Sequence, residues 1–165
     1  MIKIMSVFRR IIISVALVVT SHQSLALGRS NVGVDAGMNA GGFTLGADYE
    51  YLLKRSYGFG GFARFFQKDE AKSKNGLFIM GANARLHQYV DEFNFSVAPG
   101  FAIINVDGGT QDTTSFGPSF SLAVTYAIAP TVAIGLENSR YWIWFDDDFR
   151  GLQIDDTSLR ITFNF

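Results

Sequence analysis

The residues of this chain that can do chemistry are few and recur on alternate positions. Asp35, Asp48, Glu50, Arg64, Arg85, Glu137, Asp156 and Arg160 mostly stand between apolar or aromatic neighbours, in stretches with a period of two. Successive side chains of a strand point to opposite faces, so these eight share one face. Five carboxylates and three guanidiniums facing each other make ion pairing the natural chemistry, because a charge taken out of water needs an opposite charge beside it. If the first and last stretches pair, Arg160 lies between Glu137 and Asp35 and the three form a triad across the seam.

Other chemistry is poorly supported. His87 is the single histidine after residue 26, and no serine lies within several residues of it, so a base beside a hydroxyl nucleophile is not apparent. There is no cysteine. WFDDDFRG gathers Asp146, Asp147 and Asp148 beside Arg150, but calcium needs six to eight oxygens in a defined arrangement and the run lacks EF-hand spacing. A solvated loop, no metal and no cofactor are expected.

The elements that must position the charges are strands. In FGPSFSLAVTYA, Phe116, Pro118, Phe120, Leu122, Val124 and Tyr126 oppose Gly117, Ser119, Ser121, Ala123 and Thr125. FNFSVAPGFAI and FTLGADYEY alternate in the same way. Eight such stretches are predicted, at 30–39, 43–53, 57–67, 76–87, 92–104, 116–127, 131–145 and 152–165. Between them lie turn-forming pieces such as NAGG, KRSYG, KDEAKSKNG and VDGGTQDTTS.

The N-terminal residues have a different character. Lys3, Arg9 and Arg10 precede the uncharged apolar run IIISVALVVT, and Ser24 and Ala26 occupy the −3 and −1 positions of a cleavage site. This predicts a cleaved signal peptide over 1–26 and one domain over 27–165. Removing those three cations leaves 11 Lys and Arg against 15 Asp and Glu, a net charge of −4 that argues against a nucleic-acid partner.

Which face points inward decides the class. With large apolar side chains inside, the outer surface of the fifth and sixth stretches would be nearly uncharged, unlike soluble surfaces that intersperse Lys and Glu. Turned inside out, Phe, Val, Leu and Ile meet lipid while small and polar residues fit a narrow lumen. The eight charges then face the lumen. A sheet in hydrocarbon must close, since every edge N–H and C=O needs a partner. The fold expected is therefore all-β, an eight-stranded antiparallel up-and-down transmembrane β-barrel. Aromatics fall where interfacial girdles need them: Tyr49, Tyr51, Tyr57, Phe93, Tyr126 and Phe163 at one rim, and Phe43, Phe65, Phe78, Phe116, Trp142 and Trp144 at the other.

The closing stretch LRITFNF, with Leu159, Ile161, Phe163 and Phe165 alternating to a terminal aromatic, resembles the carboxy-terminal signature of bacterial outer-membrane β-barrel proteins. Together with the leader and the eight alternating stretches, the chain resembles the small eight-stranded members: the membrane domain of outer membrane protein A, the outer membrane protein X type and the opacity-type adhesins. The resemblance implies a Gram-negative outer-membrane location and recognition of the last strand by the barrel assembly machinery, with periplasmic chaperones during export. It also implies contact with outer-membrane lipids and lipopolysaccharide. Lys68, Lys72 and Lys74 would lie near lipopolysaccharide phosphates, although loop solvation is the simpler expectation. The modest outer loops depart from the adhesin pattern.

A monomer with a structural or surface-interaction role is expected, its lumen filled by side chains because eight strands enclose little more. The runner-up is a narrow cation-preferring pore through Gly33, Gly46, Gly58, Gly60, Ser119, Ser121 and Ala123. A lipid-modifying enzyme is a distant third: the deacylase type in this class uses a His–Ser pair facing the outer leaflet, and the lone His87 offers none. No enzymatic activity is expected.

Overall fold

The computed structural model describes residues 29–39, 42–67, 76–107, 113–144 and 151–165. The leader at 1–26, the lysines of the 68–74 loop and the Asp146–Asp148 run with Arg150 lie outside the described residues. Eight strands follow one another: β1 (Arg29–Asn39), β2 (Gly42–Lys54), β3 (Tyr57–Phe66), β4 (Gly76–Val90), β5 (Phe93–Asp107), β6 (Thr113–Ala129), β7 (Val132–Trp142) and β8 (Gln153–Asn164). Each predicted stretch corresponds to one of them. The largest differences, three residues each, are later ends to β4 and β5, an earlier start to β6 and an earlier end to β7.

Every strand pairs antiparallel with its chain neighbours, and β1 pairs with β8, giving a closed all-antiparallel barrel. The seam runs from Asn31 opposite Asn164 to Met38 opposite Thr157, and Phe165 exchanges both backbone hydrogen bonds with Ser30 at its end. Closure gives each of the eight strands a paired neighbour on both sides, which removes the usual liability of an open sheet. Short turns at 55–56, 91–92 and 130–131 mark one end, the turn end, and the longer connections mark the other, the loop end.

Alternation sorts the side chains as the sequence indicates. On β6, Phe116, Leu122, Val124 and Tyr126 are exposed while Gly117, Ser119, Ser121, Ala123 and Thr125 are buried. At the turn end Tyr51, Phe93, Tyr126 and Phe163 are exposed and Tyr49 and Tyr57 half-buried, with the Phe93 and Tyr126 rings 5.1 Å apart. At the loop end Phe43, Phe65, Phe78, Phe116 and Trp144 are exposed, and the half-buried Trp142 donates its indole N–H to Gln153.

One difference concerns the interior. The lumen is not lined by small and polar residues alone, because Phe62, Phe66, Ile79, Ile104, Tyr141, Ile143 and Ile154 form a buried apolar cluster within it. β3 carries phenylalanine on both faces, Phe59 and Phe65 outward and Phe62 and Phe66 inward. Alternation of hydrophobicity is lost there although alternation of direction is not.

Candidate functional site

The eight charged residues all point inward and all are buried, none more than 6% exposed. They form one central cluster and two satellites. At the centre, Arg160 places Nη1 2.6 Å from Asp48, 2.8 Å from Glu137 and 3.3 Å from Asp35, with Nη2 2.7 Å from the second Asp48 oxygen. The seam triad of Arg160, Glu137 and Asp35 is thus brought together, with Asp48 as a further and closer partner. From the opposite wall Arg64 reaches Asp35 at 2.9 Å and Glu137 at 2.5 Å, and Arg85 reaches Glu137 at 3.0 Å. Ser139 donates to Glu137 at 3.2 Å.

The central cluster contains Asp35, Asp48 and Glu137 with Arg64, Arg85 and Arg160, three acids and three cations. The other two acids have further partners outside the cluster. Asp156 accepts a hydrogen bond from Thr44 at 2.7 Å and stands 3.9 Å from Arg64 Nε. Glu50 is held by His87 Nε2 at 2.8 Å and by the Asn31 amide at 3.1 Å. The sequence pattern does not single out Thr44, Asn31 or Ser139, nor His87 as a partner of Glu50. Their inward parity was readable, but their partners lie on strands whose angular positions the pattern does not give.

Glycine makes this crowding possible. A β-carbon at Gly33 would overlap the Arg160 guanidinium and the Asp48 carboxylate, one at Gly46 would overlap Arg64, and one at Gly58 would lie 2.6 Å from Glu50 Oε1. The small residues that suggested a water-filled thread are, at these three positions, seats for long charged side chains.

The lumen therefore has three levels. The apolar cluster occupies the loop-end level, where the Phe62 and Tyr141 ring centroids are 5.9 Å apart. The ion cluster fills the middle. Towards the turn end lies a cavity of about 550 Å³ bordered by Arg85 and Arg160 below, by Glu50, His87, Asn94, Ser96, Thr125 and Thr162 on its walls, and by turn residues such as Asp91 and Thr131 at its mouth.

His87 stands opposite Ser96 in the register of β4 and β5. Its two ring nitrogens, however, meet Glu50 and the Asn94 side chain, and its ring stacks on Tyr89 at 5.8 Å. Ser96 instead accepts a hydrogen bond from Arg85 at 3.4 Å. Histidine and serine are neighbours without being a base and nucleophile pair, and both face the lumen. Among the described residues no group of three or more His, Cys, Asp or Glu is arranged to hold a metal ion.

A closed eight-stranded antiparallel barrel with an apolar exterior and an ionic interior is the architecture of the small outer-membrane barrels, and known structures of that class share this fold. Neisserial surface protein A aligns over 84% of this chain and 96% of its own with a TM-score of 0.63 at 17% identity. The N-terminal β-barrel domain of OprF from Pseudomonas aeruginosa aligns over 84% and 99% with a TM-score of 0.66 at 11% identity. A de novo designed transmembrane β-barrel aligns over 84% and 96% with a TM-score of 0.58 at 13% identity. No protein-family model matches the chain, and no curated protein sequence does. At these identities the likeness is one of fold, shared by a surface protein and a designed barrel alike, so function has to be argued from the residues.

Proposed function

We propose that the chain is an integral outer-membrane β-barrel, exported through a signal peptide cleaved after Ala26, with a plugged lumen and a structural or surface-interaction role. The observation that carries this reading is the inversion of the barrel. Leu122, Val124, Leu136 and Leu159 are 42 to 68% exposed on the outer wall, while Asp35, Glu137 and Arg160 are 1 to 3% exposed inside. Water would favour the opposite arrangement, since apolar area is stabilised by roughly 25 cal/mol per Å² on leaving it. Lipid favours this one.

Two layers support the plug, the ion cluster and the apolar level beyond it. The outer wall fits outer-membrane lipids and lipopolysaccharide as its surroundings. The terminal Leu159, Ile161, Phe163 and Phe165 suit recognition by the barrel assembly machinery, with periplasmic chaperones before insertion. The engaged nitrogens of His87 lend no support to a lipid-modifying activity. A narrow pore is the second reading, favoured by the cavity, which already penetrates as far as Arg85 and Arg160.

Planar-bilayer recording of refolded residues 27–165, with folding verified by a heat-shift gel, separates the two. Silence is the expected result. Steady cation-selective openings would replace the plug with a channel.

A further inference from the structure

The outer wall is not apolar all the way round. On β6 the outward residues Leu122 and Phe120 continue an unbroken apolar row, but their partners across the register on β7 are Asn138 and Arg140. These in turn pair with Thr157 and Asp155 on β8. Arg140 Nε lies 3.0 Å from Asp155 Oδ1, and the two side chains are 52 and 53% exposed. Gln153 donates to both Asp155 oxygens at 2.9 and 2.8 Å, and Asn138 donates to Thr157 at 2.9 Å.

This polar patch on β7 and β8 lies at membrane depth. Asn138 is six residues from Val132 at the turn end and six from Trp144, whose backbone N–H meets Phe116 of the loop-end aromatic ring. A strand rising about 3.3 Å per residue at a tilt of about 40° gains roughly 2.5 Å of height per residue, so Asn138 sits near the middle of the belt and Arg140 about 5 Å inside Trp142, where β7 ends among the loop-end aromatics. Hydrocarbon offers no polar partner there. A lipid headgroup remains at the outer edge, and an anionic one would also meet an arginine already neutralised by Asp155.

We propose that the β7–β8 face is a contact surface for a second copy of this chain in the membrane. Two barrels inserted in the same direction are related by a twofold axis along the membrane normal, and such an axis between β7 and β8 sets β7 of one copy against β8 of the other. Arg140 then faces Asp155 of the second copy, and Asn138 faces its Thr157. Each intrachain pair gains its mirror partner, closing a four-membered Arg–Asp ring. A patch with no net charge and both signs side by side is self-complementary under this symmetry, as an isologous interface requires. The inference rests on the outer-membrane reading and departs from the monomer expected of so small a barrel.

The experiment uses the full chain, exported and recovered in the outer-membrane fraction; failure to appear there would refute the location before the dimer is tested. The chain has no cysteine, so single substitutions report cleanly. Asn138→Cys is expected to give a dimer-mass band with a short bis-maleimide, and Phe101→Cys on β5 is not. Arg140→Asp and Asp155→Arg, each checked for folding by heat shift, should separately lower the cross-linked fraction about tenfold. Co-expressed with one copy tagged, they should recover it as a heterodimer, because opposite charges then meet only between unlike copies. The proposal is overturned by equal cross-linking at positions 138 and 101, by no band at either, by a band unchanged by the swaps, or by swapped copies that stay apart when mixed.

Discussion

Replacing Arg160 with alanine tests whether the lumen is held by its ion cluster. The side chain is 3% exposed, its Nη1 meets Asp48, Glu137 and Asp35, its Nη2 meets the second Asp48 oxygen, and its Nε donates to Thr162 at 3.2 Å. Removing it leaves three buried carboxylates facing two arginines. Loss of one partner from a buried ion pair costs roughly 3–5 kcal/mol, mainly because the remaining charge stays out of water. With a urea slope of about 2 kcal/mol per molar, the midpoint should fall by roughly 2 M. Urea unfolding of the protein refolded into lipid vesicles reads this directly. Arg160→Met combined with Asp48→Asn removes one charge of each sign and should recover most of the loss, since Asp35 and Glu137 then face Arg64 and Arg85 and no buried charge is left without a partner. Lys54→Ala at the exposed turn end is the control and should stay within about 0.5 kcal/mol of the parent. A midpoint for Arg160→Ala within experimental error of the parent would refute the reasoning, as would a double variant no better than the single one.

Three further perturbations probe the other levels of the structure. Gly46→Ala should destabilise by about 1–3 kcal/mol because its methyl meets Arg64, whereas Gly61→Ala, whose nearest neighbour is a carbonyl oxygen at 3.4 Å, should be tolerated; equal midpoints would contradict the packing described. Leu136→Arg, on an outer wall position that is 56% exposed, should cost about 2–4 kcal/mol in vesicles, while a wall facing water would show almost no change. Phe62→Ala with Tyr141→Ala should lower stability and, if the apolar level completes the plug, raise bilayer conductance above that of the parent; a noise-level trace from folded protein would leave the ion cluster as the sufficient barrier.

The parts legible in the sequence were those governed by a single local rule. Period two sets direction, so Asp35, Asp48, Glu50, Arg64, Arg85, Glu137, Asp156 and Arg160 could be assigned inward without knowing the barrel's shape. Arg140 and Asp155 fall on the opposite parity and face out. The contacts across the lumen are another matter. Arg64 on β3 meets Glu137 on β7, and Glu50 on β2 meets His87 on β4, pairs that depend on the stagger of strands around a closed sheet. The inward Phe62 and Phe66 were hidden because β3 is apolar on both faces, which erases the hydrophobic alternation that revealed the other strands.

The stagger also bears on plug against pore. Five acids and three arginines counted along the chain suggest a lumen with excess negative charge and a preference for cations. Arranged in space, Asp156 is turned to Thr44 and Glu50 to His87 and Asn31, and the remaining three acids face three arginines. A passing cation would have to displace a guanidinium already within 3.3 Å of its carboxylates and seated over a glycine that leaves it no slack. Beyond that barrier it would meet Phe62, Ile79, Ile104 and Tyr141, which offer no carboxylate to replace its hydration. The cavity at the turn end shortens the path without removing either obstacle, because it stops at Arg85 and Arg160 and both belong to the cluster. Charge excess along a sequence favours conduction only where it is free to meet a passing ion, and in this barrel Asp156 is engaged by Thr44 and Glu50, on the cavity wall, by His87 and Asn31.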